Sequence, residues 1–210
     1  MKNGKLVATL GAVALVAAIG LGSTLAYLTD KTETVTNTFT LGNVSFNKQL
    51  GGGLAENPVT EVNGEYVILD KDKDTWVQTN TYTKVTPNEE VEKNPTAFIG
   101  SDSENAWLFV RVSKSSDFAA ITFNSAFTKV GETDKYTDLR LTEEAVKNGK
   151  YEIFNHVTVA NLDSTHAAKL DDITIKAALV QAEGVSAEAA YTQAQGLLAP
   201  AAAPVAPAED

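Results

Sequence analysis

Apolar positions along most of this chain recur with the two-residue period of half-buried strands, interrupted by Gly, Asn, Asp and Pro. From Val35 to Phe46 threonine alternates with larger residues: Val35, Phe39 and Leu41 on one side, then Val44 and Phe46 on the other parity. That change of phase at Gly42-Asn43 predicts a β-bulge or tight kink, because one extra residue exchanges the inward and outward sets. Residues 48–64, centred on Gly51-Gly52-Gly53, read as a surface loop. Asn63-Gly64 is a hairpin signal with a short strand from Tyr66 to Leu69 behind it. Trp76 to Tyr82 reads as a further strand, Pro87 stops what precedes it, and Asn94-Pro95 requires an extended or turn dipeptide.

The clearest strand runs from Ala106 to Val112. It is apolar at both parities up to Arg111, so both of its faces need cover, as in the middle of a sandwich. Arg111 itself is expected near the rim or paired with an acid. Phe118, Ile121, Phe123 and Phe127 predict an aromatic-rich hairpin turning at Asn124-Ser125. Thr142 to Gly149 carries a Thr cap, early acids, a late Lys and an exit Gly, the marks of a short helical turn. Tyr151 to Val159 returns to the strand pattern. Ile173 to Val180 places Ile173, Ile175, Ala177 and Leu179 inward, and Ser186 caps a helix through Gln195. From Ala199 the chain is Ala and Pro ending in two acids, which predicts a disordered tail over 199–210. About eight or nine short strands with one or two short helices define an all-β chain, a jelly-roll-like antiparallel β-sandwich.

The first residues follow another rule. Lys2 and Lys5 precede an uncharged, mostly Ala/Val/Leu/Ile run from Leu6 to Leu21, and Thr24 and Ala26 stand at the −3 and −1 positions of a cut before Tyr27. Basic head, apolar middle and small-residue cut site predict a secretory signal peptide over 1–26. A retained span would need roughly 20 apolar residues with basic cytoplasmic flanks. This run is shorter, contains Thr9, Gly11 and Gly20, and is followed by Asp30. No stable membrane span is therefore expected after cleavage.

Charge narrows the partners. The chain carries a formal charge of −10, and loss of Lys2 and Lys5 with the leader takes it to −12. Phosphate neutralisation needs clustered Lys and Arg, so nucleic acid is excluded as a partner, and anionic lipid is equally unsuited. There is no cysteine, which removes disulfides, thiolate metal sites and thiol nucleophiles.

Candidate chemistry is sparse. His156 and His166 are the only histidines and lie in no zinc spacing. No nucleophile elbow, phosphate loop or dinucleotide fingerprint occurs. Asp70, Asp72 and Asp74 alternate like the start of a calcium loop, but Thr75 and Thr81 stand where such a loop has Gly and Glu, and Lys71 and Lys73 repel a cation. They read as a solvated turn. No catalytic, cofactor-binding or metal residue is assigned, and no enzyme is expected.

Several stretches carry a resemblance. Ala26-Tyr27-Leu28-Thr29-Asp30, then Thr38-Phe39-Thr40-Leu41-Gly42-Asn43-Val44-Ser45-Phe46, resembles the amino-terminal signature of the TasA/camelysin family. Looser likeness returns at Val85-Thr86-Pro87 through Lys93-Asn94-Pro95-Thr96, at Ala106 to Val112 and at Ile175 to Gly184. The resemblance implies a jelly roll and export with a SipW-type signal peptide, cut by its peptidase between Ala26 and Tyr27. It also implies a place outside the cell as a fibre subunit of a biofilm matrix or surface layer. Members assemble into homopolymers when the segment after the cut completes the sheet of the next subunit, a case of β-strand addition. Here that donor is residues 27–36, with Tyr27, Leu28 and Val35 as apolar anchors, and the sandwich is 37–198. Asp30, Lys31 and Glu33 make this segment polar for a buried strand. Two alternatives stand beside the fibre: a secreted carbohydrate- or protein-binding module or adhesin, and a camelysin-like metallopeptidase, whose label finds no zinc motif here.

Overall fold

The computed structural model describes residues 29–32, 37–38, 44–69, 71, 73–163 and 169–199; for 29–32, 37–38 and 51 it describes the backbone alone. The expected leader, the kink at Gly42-Asn43, and most of the tail lie outside the described residues.

Among the described residues the chain is an all-β antiparallel sandwich with one short α-helix. Fourteen strands are described: β1 Thr29–Thr32, β2 Asn37–Thr38, β3 Leu54–Ala55, β4 Thr60–Val62, β5 Glu65–Val67, β6 Glu90–Glu92, β7 Thr96–Phe98, β8 Ala106–Ser113, β9 Phe118–Phe123, β10 Phe127–Glu132, β11 Tyr136–Leu141, β12 Lys150–Glu152, β13 Phe154–Val159 and β14 Ile175–Gln181, followed by helix α1, Ala187–Leu198. The main sheet has the order β10-β11-β8-β14-β1-β2. The opposing layer consists of β12-β7-β3 and β6-β13-β9. These two halves are continuous through the chain, since β6 runs on into β7 and β12 into β13. The Lys93 amide donates to the Asn155 carbonyl (3.1 Å) and the Ile153 amide to the Pro95 carbonyl (2.8 Å) across the bend between them.

The core lies between the layers. Leu108, Val110, Val112, Leu139, Leu141, Ala177 and Leu179 of the main sheet meet Ile99, Ile153, Phe154 and Val157 of the other layer. Ile173 and Ile175 pack against this core, as the inward parity of that strand predicts. The opposite parity of β8 and β14 is also covered: Phe109, Ala178 and Val180 lie under Ala190, Ala194 and Leu198 of α1. Burial of both faces in β8 follows from its double apolar parity. The Ser186 side chain accepts from the Ala189 amide (3.3 Å) and starts α1, which runs past Gln195 to Leu198.

Asn63 and Gly64, both at positive φ (55° and 90°), turn the β4–β5 hairpin. Elsewhere the structure corrects the sequence reading. Residues 48–64 are not simply a surface loop, because Ala55, Glu56 and Asn57 are buried. The glycines make a single tight turn, and at Gly53 (φ 96°) a Cβ would collide with the Phe46 side chain. Trp76 to Tyr82 forms no strand; only Val77 makes an isolated bridge, to Glu56. Its neighbouring backbone groups bond to side chains instead. Phe118 to Phe127 is not a hairpin: β9 pairs with β13 and β10 with β11, so Asn124-Ser125 is a corner between layers. Thr142 to Gly149 is not helical, because Ala145 exchanges backbone hydrogen bonds with Ala106 (2.7 and 3.0 Å) and eight residues nucleate a helix poorly. Tyr151–Val159 is broken at the buried Ile153, where the layer bends.

Candidate functional site

The most unusual backbone environment is the outer edge of β14. Ala177, Ala178, Leu179 and Val180 are all fully buried, apolar on both faces. Such a strand belongs inside a sheet, since an apolar edge invites pairing with another chain. On one side it pairs along its whole length with β8, from Ile175↔Val112 to Gln181↔Ala106. On the other it is closed only by β1, in the register Thr29↔Val180, Asp30↔Leu179 and Lys31↔Ala178. The two-residue β2 then pairs with β1 at Lys31↔Thr38 and Thr32↔Asn37 and ends the sheet. β1 thus belongs to the segment 27–36 singled out in the sequence. Tyr27, Leu28 and Val35, its expected anchors, and Ala26 at the expected cut lie outside the described residues.

Helix α1 roofs this edge, packing over β14 and β8 and reaching β1. Its position is fixed by a buried polar cluster that sequence reasoning did not foresee. Arg111 on β8 and Asp138 on β11 are neighbours in the ladder. The guanidinium donates to both carboxylate oxygens, Nε to Oδ1 and Nη2 to Oδ2, each at 2.7 Å. Asp138 is 1% exposed, and its Oδ2 also accepts from the Tyr191 hydroxyl of α1 at 2.8 Å. Arg111 lies over the Tyr136 ring (3.7 Å to the centroid) and donates from Nη1 to the Leu198 carbonyl (3.3 Å). Lys176, opposite Arg111 on β14, donates to the Ala199 carbonyl (3.1 Å). Two cations therefore meet the carbonyl end of α1, where the helix dipole favours them. Hydrogen bonding to Asp138 raises the Arg111 pKa. Burial, and then the bond to Asp138, raises that of Tyr191. Gly131 on β10 leaves room for the Tyr191 hydroxyl, which a Cβ there would strike. The expectation that Arg111 pairs with an acid holds; Asp138 went unrecognised because β11 was not read as a strand.

The candidate chemical residues are not brought together. Asp74 is exposed and bonded to Lys150 Nζ (2.6 Å), which holds its carboxyl below the ordinary value; Asp70 and Asp72 lie outside the described residues. His156 on β13 has Nδ1 2.9 Å from Asn155 Oδ1 and Nε2 3.8 Å from Glu90 Oε1; His166 lies outside. Among the described residues no group of three or more His, Asp or Glu side chains is placed to hold a metal ion, and no helix is long and apolar enough to cross a membrane.

Compared with protein-family models, curated proteins and solved structures, the chain finds no match.

Proposed function

We propose that this chain is a secreted structural protein, a TasA-like fibre subunit of an extracellular biofilm matrix or surface layer. It polymerises when the segment behind the signal cut completes the sheet of a neighbouring subunit. The observation that carries this reading is the edge of β14: four fully buried apolar residues closed by a short strand from the N-terminal segment. A pairing of only three residue pairs at the chain's exported end is readily exchanged between copies, because the same backbone hydrogen bonds form whichever copy supplies the strand. The resemblance of Ala26–Asp30 and Thr38–Phe46 to the TasA/camelysin signature supports the same assignment.

The test is electron microscopy of protein lacking residues 1–26, which is expected to form filaments. Deletion on through Val35 is expected to leave a folded monomer, and filaments that persist after it would remove strand exchange from consideration. Replacing Asp30 with proline, which takes one donor from β1, is expected to slow assembly without unfolding the sandwich.

A further inference from the structure

Little inside the sheet holds β1 in place. It is joined to β14 by three residue pairs and to β2 by two, and β2 is itself only two residues long. So short a ribbon is marginal by itself. What lies above it is α1. The helix follows β14 after a tight turn, in which the Val185 amide donates to the Ala182 carbonyl (3.1 Å) and Gly184 takes a φ of 73°. It then runs back along the strand, so that the Ala199 carbonyl at its end meets Lys176 near the strand's beginning (3.1 Å). In this course α1 packs on β14 and β8 and reaches β1. Its buried residues are Ala190, Ala194 and Leu198. Alanines bury little apolar area, so the directional bonds count for more. They are spread along the whole helix. Trp107 Nε1 donates to the Val185 carbonyl (2.9 Å) before its start, Tyr191 bonds to Asp138 in its middle, and Arg111 and Lys176 bond to the Leu198 and Ala199 carbonyls at its end.

We propose that α1 is a clasp across the junction of β14 and β1: β1 stays in place while the helix is docked, and lifting of the helix governs the opening of the β14 edge. A helix of 12 residues is marginal in water, so α1 melts when it leaves the sheet. Its contacts with β1 are lost in the open state and regained when the edge closes, whichever copy supplies the strand. They therefore slow exchange without favouring either closed form. The anchors Arg111 and Asp138 lie on β8 and β11, inside the sheet, and stay behind when β1 departs. That exchange of β1 builds filaments rests on the reading above; that α1 governs the opening does not.

The test is hydrogen exchange on protein purified after expression of the whole chain, before it assembles. Tyr191→Phe removes the bond to Asp138 and leaves the Arg111–Asp138 pair intact. Lys176→Met removes a bond at the other end of the helix. Each is expected to speed exchange of the α1 and β1 amides together, by about 2- to 10-fold, the factor that one hydrogen bond supplies. Exchange in β13 is expected to stay unchanged. β1 amides that keep the parent rate while α1 exchanges faster overturn the clasp, as does a rise in β13 equal to that in β1. Where filaments form, both variants are expected to lengthen them faster by the same factor. Growth at the parent rate overturns lifting of α1 as the step that limits exchange and leaves the filament reading standing. If no filaments form, that reading fails, and exchange at β1 alone decides the clasp.

Discussion

Two polar clusters each fasten a covering segment to an outer face of the sandwich, and they differ in how many hydrogen bonds the task requires. Beneath α1 one ion pair, Arg111–Asp138, with the Tyr191 hydroxyl and the Arg111 and Lys176 bonds to the Leu198 and Ala199 carbonyls, completes a contact whose base is apolar, built on Phe109, Ala178 and Val180. Beneath the described residues of 68–88, which form no helix or strand beyond the Val77 bridge, a few apolar contacts (Trp76 against Phe98, Tyr82 against Tyr66) are joined by a large set of hydrogen bonds. Asn57 donates from Nδ2 to the Thr75 carbonyl (2.9 Å), Glu56 accepts from the Asn80 amide (3.2 Å), and Lys93 donates to both Glu56 oxygens (2.6 and 2.8 Å). The Asn57 and Asn94 side chains also bond to each other (2.8 Å), and Tyr66 Oη accepts from the Thr83 and Lys84 amides (2.7 and 3.1 Å). The difference follows from backbone bookkeeping. A helix satisfies its own N–H and C=O groups and needs only a greasy face and secured ends. An irregular cover leaves those groups to be met by buried side chains.

The largest effect is expected at the single ion pair. Asp138→Ala leaves the Arg111 guanidinium buried beside no carboxylate, a change that costs about 3–5 kcal/mol in comparable sites. It is read as a lower urea midpoint together with loss of protection in α1. Replacing both partners, Arg111→Met with Asp138→Leu, is expected to recover most of that loss, because no charge then remains to be solvated. A double variant as unstable as Asp138→Ala would show that the pair holds α1 in a way apolar packing cannot replace.

Losing one member of the larger network is expected to cost less, because others remain. Asn57→Ala deprives the Thr75 carbonyl and the Asn94 amide of partners at a site where Asn57 is 1% exposed. About 2–3 kcal/mol is the expected loss, the cost of buried groups left unpaired. Limited proteolysis distinguishes the two covers: the Asn57 variant is expected to be cut within 68–88 with α1 still protected, and the Asp138 variant the reverse.

The same contrast explains what could be read in the sequence. α1 was legible because its signals are local: Ser186 as cap, then a run of helix formers. β8 was legible because double apolar parity in a short run demands cover on both sides, and β14 because its alternation marks Ile173, Ile175, Ala177 and Leu179 as the inward set. The 68–88 cover was not. Trp76 to Tyr82 has a strand's composition, and whether its backbone finds a strand or a set of side chains depends on residues 18 to 24 positions away, such as Asn57 and Glu56. Phe118 to Phe127 failed for a related reason, since alternation fixes which residues face inward but not which strand lies alongside. β11 was missed because Asp138 and Arg140 break its apolar pattern. Their outward parity is polar where the sheet accepts an ion pair beneath a helix. At the candidate assembly edge the signal was partial: the apolar Ala177-Ala178-Leu179-Val180 asks for cover, but nothing in the sequence says that β8 and β1 lie on its two sides.

The smallest effect concerns the edge of the irregular cover and is a matter of pH. Glu92 on β6 accepts from the Ile68 amide (2.7 Å) and from Lys71 Nζ (2.9 Å). Burial alone pushes its carboxyl up, but the Ile68 amide and the Lys71 ammonium together pull it below its ordinary value. A carboxyl lowered in the folded state stabilises fully above its unfolded pKa, and that contribution fades as the pH falls through the folded one. Because the group is partly exposed, solvent screens much of the effect, and a local probe suits it better than a global midpoint. The hydrogen-exchange protection factor of the Ile68 amide is expected to hold steady from neutral pH to the ordinary carboxylate range and to fall below it. Glu92→Gln is expected to start lower and stay flat, since an amide oxygen accepts the same bond without titrating. Protection at Ala189, whose amide bonds to the uncharged Ser186 hydroxyl, is the internal reference for α1. If both amides lose protection in parallel, acid is loosening the sandwich as a whole and Glu92 has no separate hold on the cover.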